Sequence, residues 1–187
     1  MLGAPSSPRR ERGITLIEAL VTIVILAFGL LGLAAFQMRM QAAELESIQR
    51  AQALVLMEDM ASRIQANRND AANYLSSSLG TGSNSCTGTA GSAAGDLCEW
   101  SELLKGASSS DLKSGNLVSG RGCITQIQAP NSGAGICSPG IYQVEVAWQG
   151  VINTTAPAST CASGAYGSDN LRRVVATRVT IGLLDCN

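Results

Sequence analysis

The sequence predicts an α+β fold in which one long N-terminal α-helix packs on a small antiparallel β-sheet. Three observations predict it. An uncharged apolar run covers residues 19–36, helical spacing of apolar residues continues beyond that run, and apolar and polar residues alternate in the last third of the chain. The first half of the helix is apolar all round, as a membrane-spanning helix is, and the second half is amphipathic.

The apolar run has the length of a membrane span. Residues 19–36 contain no charged side chain and one mildly polar one, Thr22. At ~1.5 Å per residue they extend roughly 27 Å, close to the ~30 Å hydrocarbon core of a bilayer. Arg9, Arg10 and Arg12 precede the run, which predicts a cytoplasmic N-terminus with the remainder of the chain across the membrane.

The helical pattern is predicted to run without a break over residues 14–73. No proline or glycine interrupts residues 37–73, and an apolar stripe is formed by Leu45, Ile48, Ala53, Leu56, Met57, Met60 and Ile64. Residues 76–95 are almost entirely Ser, Gly, Thr, Asn and Ala, which predicts an exposed loop. A short helix after it is predicted to pin this loop to the core through Leu97, Trp100 and Leu103.

Three strand-like segments follow, at residues 123–128, 141–150 and 171–184. In the second, Tyr142, Val144, Val146 and Trp148 share one face; in the third, Val175, Thr177, Val179 and Ile181 do. Because no helix separates the segments, we expect an antiparallel sheet. Its apolar face needs a cover, and the amphipathic half of the long helix is the element available.

Composition argues against several classes of function. The chain has no histidine and a net charge of −1. It therefore lacks the commonest general base and zinc ligand, and it has no CxxC pair. The near-neutral charge gives no basis for nucleic-acid binding. Glu99 and Glu102 are interpreted as a solvated helix face, so neither an enzyme, a metal site nor a cofactor is predicted.

Six cysteines all follow the apolar run: Cys86, Cys98, Cys123, Cys137, Cys161 and Cys186. An even number of widely spaced cysteines on one side of a membrane segment favours disulfides in an oxidising compartment over buried free thiols. Pairing neighbours in sequence gives Cys86–Cys98, Cys123–Cys137 and Cys161–Cys186.

Glu18 is an unexpected residue because it stands near the start of the apolar run. A carboxylate at the centre of a membrane helix costs about 2.5–3.5 kcal/mol on insertion scales. A secretory signal peptide would have a shorter apolar core and a small-residue cleavage site, and a twin-arginine signal would rest on Arg9 and Arg10 alone. A permanent signal anchor leaves Glu18 without a role.

Residues 13–18, Gly-Ile-Thr-Leu-Ile-Glu, follow a short basic leader and resemble the class III signal of type IV prepilins. In that family a membrane-embedded prepilin peptidase cuts after the glycine and N-methylates the new first residue. The resemblance implies cleavage between Gly13 and Ile14 and methylation of Ile14. It also implies that Glu18 neutralises the new amine of a neighbouring subunit in the filament core. Pairing of Glu18 with its own amine, one helical turn away, is the alternative.

Further stretches narrow the resemblance. Residues 29–33 read Gly-Leu-Leu-Gly-Leu, and residues 96–104 read Asp-Leu-Cys-Glu-Trp-Ser-Glu-Leu-Leu. A Met-Ala-x-Arg-x-x-Ala-Asn-Arg pattern is carried by Met60, Ala61, Arg63, Ala66, Asn67 and Arg68. These stretches are similar to the minor pilins called PilV, or type IV pilus modification protein. The type IV pilin fold then implies a leader at 1–13, a membrane and filament-core helix at 14–36, its amphipathic half at 37–73 and a periplasmic head at 74–187.

The resemblance also implies where the protein acts. Its implied location is the bacterial inner membrane, as a single-pass protein with a cytoplasmic N-terminus, and the pilus tip after assembly. Its implied partners are the prepilin peptidase/N-methyltransferase, inner-membrane lipid, other minor pilins and the major pilin. It would prime pilus assembly and support twitching motility or adhesion. The alternative is a minor pseudopilin of a type II secretion system, whose N-terminal signal is the same; a surface adhesin is a further class, but no residue names its ligand.

Overall fold

The computed structural model describes residues 15–82, 89, 91–105, 117–133 and 137–183. The chain divides into two compact units, Met1–Gln41 and Ala42–Asn187. In chain order the described elements are helix α1 (Leu16–Ala66), a 3₁₀-helix (Arg68–Tyr74), strand β1 (Ser76–Leu79), helix α2 (Ala93–Leu104), strands β2 (Arg121–Gln128) and β3 (Gly140–Gln149), a 3₁₀-helix (Asp169–Leu171) and strand β4 (Arg172–Ile181).

The described part of the first unit consists of Thr15 and the start of α1. Its apolar side chains are exposed along the whole segment, from Leu16 to Met40. Among the described helices, α1 alone is long and apolar enough to cross a membrane, by length and composition. The apolar run predicted from the sequence is therefore helical, and its side chains are exposed among the described residues.

Helix α1 ends earlier than the sequence predicts. The predicted α-helix over residues 14–73 stops at Ala66, and Asn67 leaves the helical region with φ −107° and ψ 43°. The chain continues as a tighter 3₁₀-helix that buries Ala71 and Tyr74. Contacts of the Tyr74 side chain outweigh the local α-helical pattern, because they place a large ring in the core.

The face that α1 presents to the core differs in part from the predicted stripe. Ala53, Met57, Met60 and Ile64 are buried as predicted, but Leu45 is 52% exposed and Ile48 43% exposed. Gln49 is buried instead, at 6% exposure. The buried face therefore lies closer to Gln49 and Ala53, since the position of the sheet, not apolar character alone, decides which side of the helix is covered.

The sheet is antiparallel, as predicted, with strand order β1-β2-β3-β4. The predicted alternation in β3 is confirmed: Tyr142, Val144, Val146 and Trp148 are all buried in one core cluster with the α1 residues. Strand β1 lies within the segment predicted to be an exposed loop. Its sequence, Ser-Ser-Ser-Leu, has no apolar alternation, and it joins the sheet by pairing with β2.

Helix α2 packs where the backbone of β2 lacks a side chain. Trp100 is fully buried, which confirms its predicted core position, and its ring lies over Gly122. A Cβ on Gly122 would lie 2.2 Å from Cζ3 of Trp100 and 2.7 Å from Cδ1 of Leu104. Only glycine leaves room for the helix at this distance from the strand.

A disulfide joins Cys123 on β2 to Cys161 in the loop between β3 and β4. The predicted Cys123–Cys137 and Cys161–Cys186 pairings are therefore wrong. Cys137 follows the far end of β2, and the five residue steps from Cys123 to Gln128 extend about 17 Å, whereas a disulfide needs Cα atoms within about 7 Å. Cys98 and Cys137 are also disulfide-bonded. The predicted Cys86–Cys98 pairing involves Cys86, which, like Cys186, lies outside the described residues.

Candidate assembly site

Glu18 occupies the first turn of α1. Its backbone N–H donates to the carbonyl of Thr15 at 3.0 Å, and its side chain is exposed. Within the described ranges its carboxylate makes no hydrogen bond or ion pair. Gly13 and Ile14, the residues of the predicted cleavage site, lie outside the described residues.

The surroundings of Glu18 are apolar. Leu16, Ile17, Leu20 and Val21 are each about half exposed or more. Such a surface suits lipid or the helices of other subunits, and in either setting a single carboxylate is costly until a cation pairs with it. Glu18 thus places one negative charge in the first turn of a helical segment that is otherwise apolar as far as Phe36.

A second set of polar residues joins the end of α1 to α2. This polar network consists of Asp59, Arg63, Asn67, Tyr74, Asp96 and Glu99. Arg63 is its centre: its guanidinium lies 3.0 Å from Asp59, 3.0 Å from Asp96 and 2.9 Å from Glu99. One cation therefore holds three carboxylates, two of them on α2.

The inner part of the network is shielded from water. Tyr74 is fully buried, and its hydroxyl donates to Asp96 while accepting from Asn67 Nδ2 at 3.2 Å. Burial, together with the hydrogen bond to Asp96, raises the pKa of Tyr74 to about 12, so the phenol stays protonated and remains a donor. Burial lowers the pKa of Arg63, but hydrogen bonds and charges from Glu99 and Asp59 outweigh it, and the net shift is upward.

Local sequence explains why α2 can meet this network. Ser92 caps the helix by accepting from the N–H of Gly95 at 3.1 Å, as N-cap serines do. Trp100 Nε1 donates to the carbonyl of Leu56 on α1 at 2.8 Å. The cap fixes where α2 starts, and the indole fixes its contact with α1, so Asp96 and Glu99 both face Arg63.

The loop between β3 and β4 is held by one buried cation. Arg172, whose side chain is 2% exposed, donates to the carbonyls of Pro157, Ser159 and Cys161 and pairs with Asp169 at 3.1 Å. These carbonyls and the disulfide at Cys161 fix the loop over the outer face of the sheet, where it covers a small cluster that includes Tyr166. Burial raises the pKa of Tyr166 to about 12 although Arg121 and Arg172 oppose the shift.

Sequence reasoning missed the role of the charges in α2. Glu99 was interpreted as part of a solvated face; it is exposed, but it pairs with Arg63, and Glu102 pairs with Lys105. The sequence shows acidic residues at 96–104 and an arginine near the end of α1. Only the folded structure shows that these residues form ion pairs with each other. Across the described part of the chain, no group of three His, Cys, Asp or Glu side chains is placed to hold a metal ion.

Two family models match the chain. The model of the prokaryotic N-terminal methylation motif matches residues 8–34, which include Gly13, Ile14 and Glu18. The model described as type IV pilin Tt1218 matches residues 35–103, which include the entire polar network. The chain is a type IV pilin. No curated protein and no solved structure gave a significant match.

For this pilin the family is a structural one, so the chain is a filament subunit and not an enzyme. The methylation motif implies processing by prepilin peptidase and assembly with other pilins, and the apolar N-terminal helix suggests anchoring in a membrane before assembly. The fold agrees with the expectation from the sequence: a long N-terminal helix packed on an antiparallel sheet of four strands.

Proposed function

We propose that this pilin is a minor pilin of the PilV type. Prepilin peptidase removes residues 1–13 between Gly13 and Ile14 and methylates Ile14. The mature chain is held in the inner membrane by residues 14–36, with residues 37–73 and the head, 74–187, in the periplasm. It then joins other minor pilins and the major pilin, primes assembly at the pilus tip, and supports twitching motility or adhesion.

The ion pairs of Arg63 with Asp96 and Glu99 are the observation that carries the narrower assignment. Residues 60–68 resemble PilV pilins and residues 96–104 resemble them more loosely, and Arg63 links the two stretches directly at 3.0 and 2.9 Å. Two separate sequence patterns are thus two halves of one structural feature. This contact supports interpreting the two stretches together, as the scaffold of one kind of pilin head.

For Glu18 we propose the role that its exposure and apolar surroundings favour. Cleavage before Ile14 creates a cationic amine, and methylation keeps its charge. In a filament core the amine of one subunit and Glu18 of a neighbour would neutralise each other, which offsets much of the cost of burying either charge alone.

We also propose that Cys86 is the partner of Cys98.

Mass spectrometry of the protein from its host, with and without prepilin peptidase, tests the proposal. We expect loss of residues 1–13 and one added methyl group on Ile14 only where the peptidase is present. Retention of residues 1–13 in the wild-type host would refute the processing step. Co-purification with type II secretion components, and not with pilus subunits, would instead assign the chain as a minor pseudopilin.

A further inference from the structure

A cleft in the second unit lies between α1 and the beginning of β4. Its volume is about 380 Å³, and its polar walls are formed by Glu46, Ser47, Arg50, Trp148 and Arg173. Val174 and Val175 give it an apolar side. The cleft is large enough for one amino-acid side chain, and neither the polar network nor Glu18 belongs to it.

The charges in the cleft do not balance. Arg173 pairs with Glu46 at 2.7 Å, and Glu46 also accepts from the N–H of Ile152 at 3.3 Å. Gly150 makes this arrangement possible, because a Cβ there would lie 2.8 Å from Cζ of Arg173 and 2.9 Å from Oε1 of Glu46. Arg50 is exposed and has no acidic partner in the described ranges. The cleft therefore retains one positive charge.

A buried tryptophan lines the same cleft. Trp148 is 3% exposed, and its Nε1 has no hydrogen-bond partner among the described residues. A buried N–H without an acceptor is costly, by about 1–3 kcal/mol, which makes such groups rare. Trp148 and Arg173 are directly paired across β3 and β4, so the indole and the guanidinium stand side by side in the sheet.

We infer that this cleft binds an acidic side chain presented by a neighbouring pilin. A carboxylate is the group that matches an unpaired guanidinium and an unpaired N–H together, since it accepts hydrogen bonds and carries the compensating charge. The inference deepens the proposed function, on which it rests, by naming the chemistry of a partner contact. Arg50 supplies the charge, Trp148 a directional donor, and the Glu46–Arg173 pair keeps the remaining wall neutral.

The chain offers an internal control for a direct test. It has two tryptophans, and the second, Trp100, already donates its Nε1 hydrogen to Leu56. In the full chain in detergent micelles, ¹⁵N-labelled indoles give one resonance each. We expect titration with N-acetyl-glutamate N-methylamide to shift the Trp148 resonance and leave the Trp100 resonance in place. Arg50→Gln should weaken this binding about fivefold to tenfold.

Three outcomes would overturn the inference. The neutral analogue, N-acetyl-glutamine N-methylamide, could shift Trp148 equally, which would indicate a site for any polar group. Inorganic phosphate could shift it more strongly, which would indicate a phosphate or lipid-headgroup site. Arg50→Gln could leave the titration unchanged, which would remove the guanidinium from the site.

A cross-linking experiment in the host identifies the partner that occupies the cleft. A photoreactive amino acid at Ser47, in the wall of the cleft, should cross-link to another pilin within a few residues of an Asp or Glu, and Arg50→Gln should reduce the yield. Absence of any cross-link to a pilin counts against the inference. The micelle titration needs no pilus, so its failure leaves leader removal untouched, and a retained leader leaves the titration untouched.

Discussion

Arg63 of α1 and Asp96 of α2 form an ion pair of 3.0 Å, although 33 residues separate them in sequence. Their side chains are 24% and 12% exposed, so both charges are partly withdrawn from water. The pair connects the last turn of the long helix to the first turn of the short one. Together with the Arg63–Glu99 pair and the Trp100–Leu56 hydrogen bond, it joins the two helices.

Replacing Arg63 should destabilise the head. Arg63→Met leaves Asp59, Asp96 and Glu99 without their cation, and we expect a loss of about 2–3 kcal/mol in the free energy of unfolding. Urea unfolding of the full chain in detergent, followed by tryptophan fluorescence, measures it. Arg178→Met, an exposed arginine of β4, is the matched control. Equal midpoints for the two variants would contradict a structural role for the network.

The disulfide between Cys123 and Cys161 leads to a second prediction. It closes a loop with a sequence separation of 38, and the chain-entropy model gives about 4 kcal/mol for a loop of this size. Cys123→Ser, Cys161→Ser and the double variant should all lose a similar amount of stability. Non-reducing peptide mapping should recover the two cysteines in one linked peptide. A linked peptide containing Cys123 and Cys137 would show that the assigned pair is wrong.

Acid should weaken the loop that Asp169 supports. Hydrogen bonds from the Gly164 N–H, Arg172 and Ser163 lower the pKa of Asp169 from 3.8 to about 2. A lowered pKa in the folded state stabilises the fold above the unfolded value and loses that contribution as the pH falls through the folded value. Stability should therefore fall between about pH 4 and pH 2, and Asp169→Asn should flatten this part of the profile. The free energy of unfolding, measured with urea at each pH, gives this profile. If it fell equally between pH 4 and pH 2 in the wild type and in Asp169→Asn, the effect would be excluded.

Glu18 should matter for assembly and not for insertion. Glu18→Ala removes a charge from an apolar segment, so membrane insertion should stay intact or improve. Pilus assembly, or recruitment of the protein into pili, should fall because the proposed amine loses its counter-charge. Sheared pili and membrane fractions, compared by immunoblot, measure both. Glu58→Ala, an exposed acid elsewhere on α1, is the control; normal recruitment of Glu18→Ala would disprove the charge pairing.

The spacing of apolar residues along the sequence predicted the helix and strand in which that spacing is regular. The two-residue alternation of β3 gave the correct buried face, and the apolar run gave a helix. Strand β1 could not be predicted in this way, because its place in the sheet comes from backbone pairing with β2 and not from its side chains. The end of α1 could not be predicted in this way either, since the hydroxyl of Tyr74 bonds to Asp96, 22 residues further along the chain.

The candidate sites differ in the same way: some depend on residues adjacent in sequence, and others on residues that only the fold brings together. The short motif around Glu18 was recognisable because all its residues are adjacent. Arg63, Asp96 and Glu99 were visible only as separate patterns, and the partner of Cys123 was misassigned because nearness in sequence was taken for nearness in space. Residues whose chemistry depends on tertiary contact need the fold before their roles can be assigned.

The position of the Cys123–Cys161 bond bears on how the protein matures. If the head is exported N-terminus first, the thiol of Cys137 reaches the oxidising side before that of Cys161, while Cys123 is already waiting there. The partner of Cys123 is nevertheless Cys161, which crosses later. Cys137 is kept away from Cys123 only after β2 and β3 have paired, because this pairing places Cys137 beyond the far end of β2. Pairing of β2 with β3 therefore separates Cys123 from Cys137 and leaves Cys123 available to Cys161.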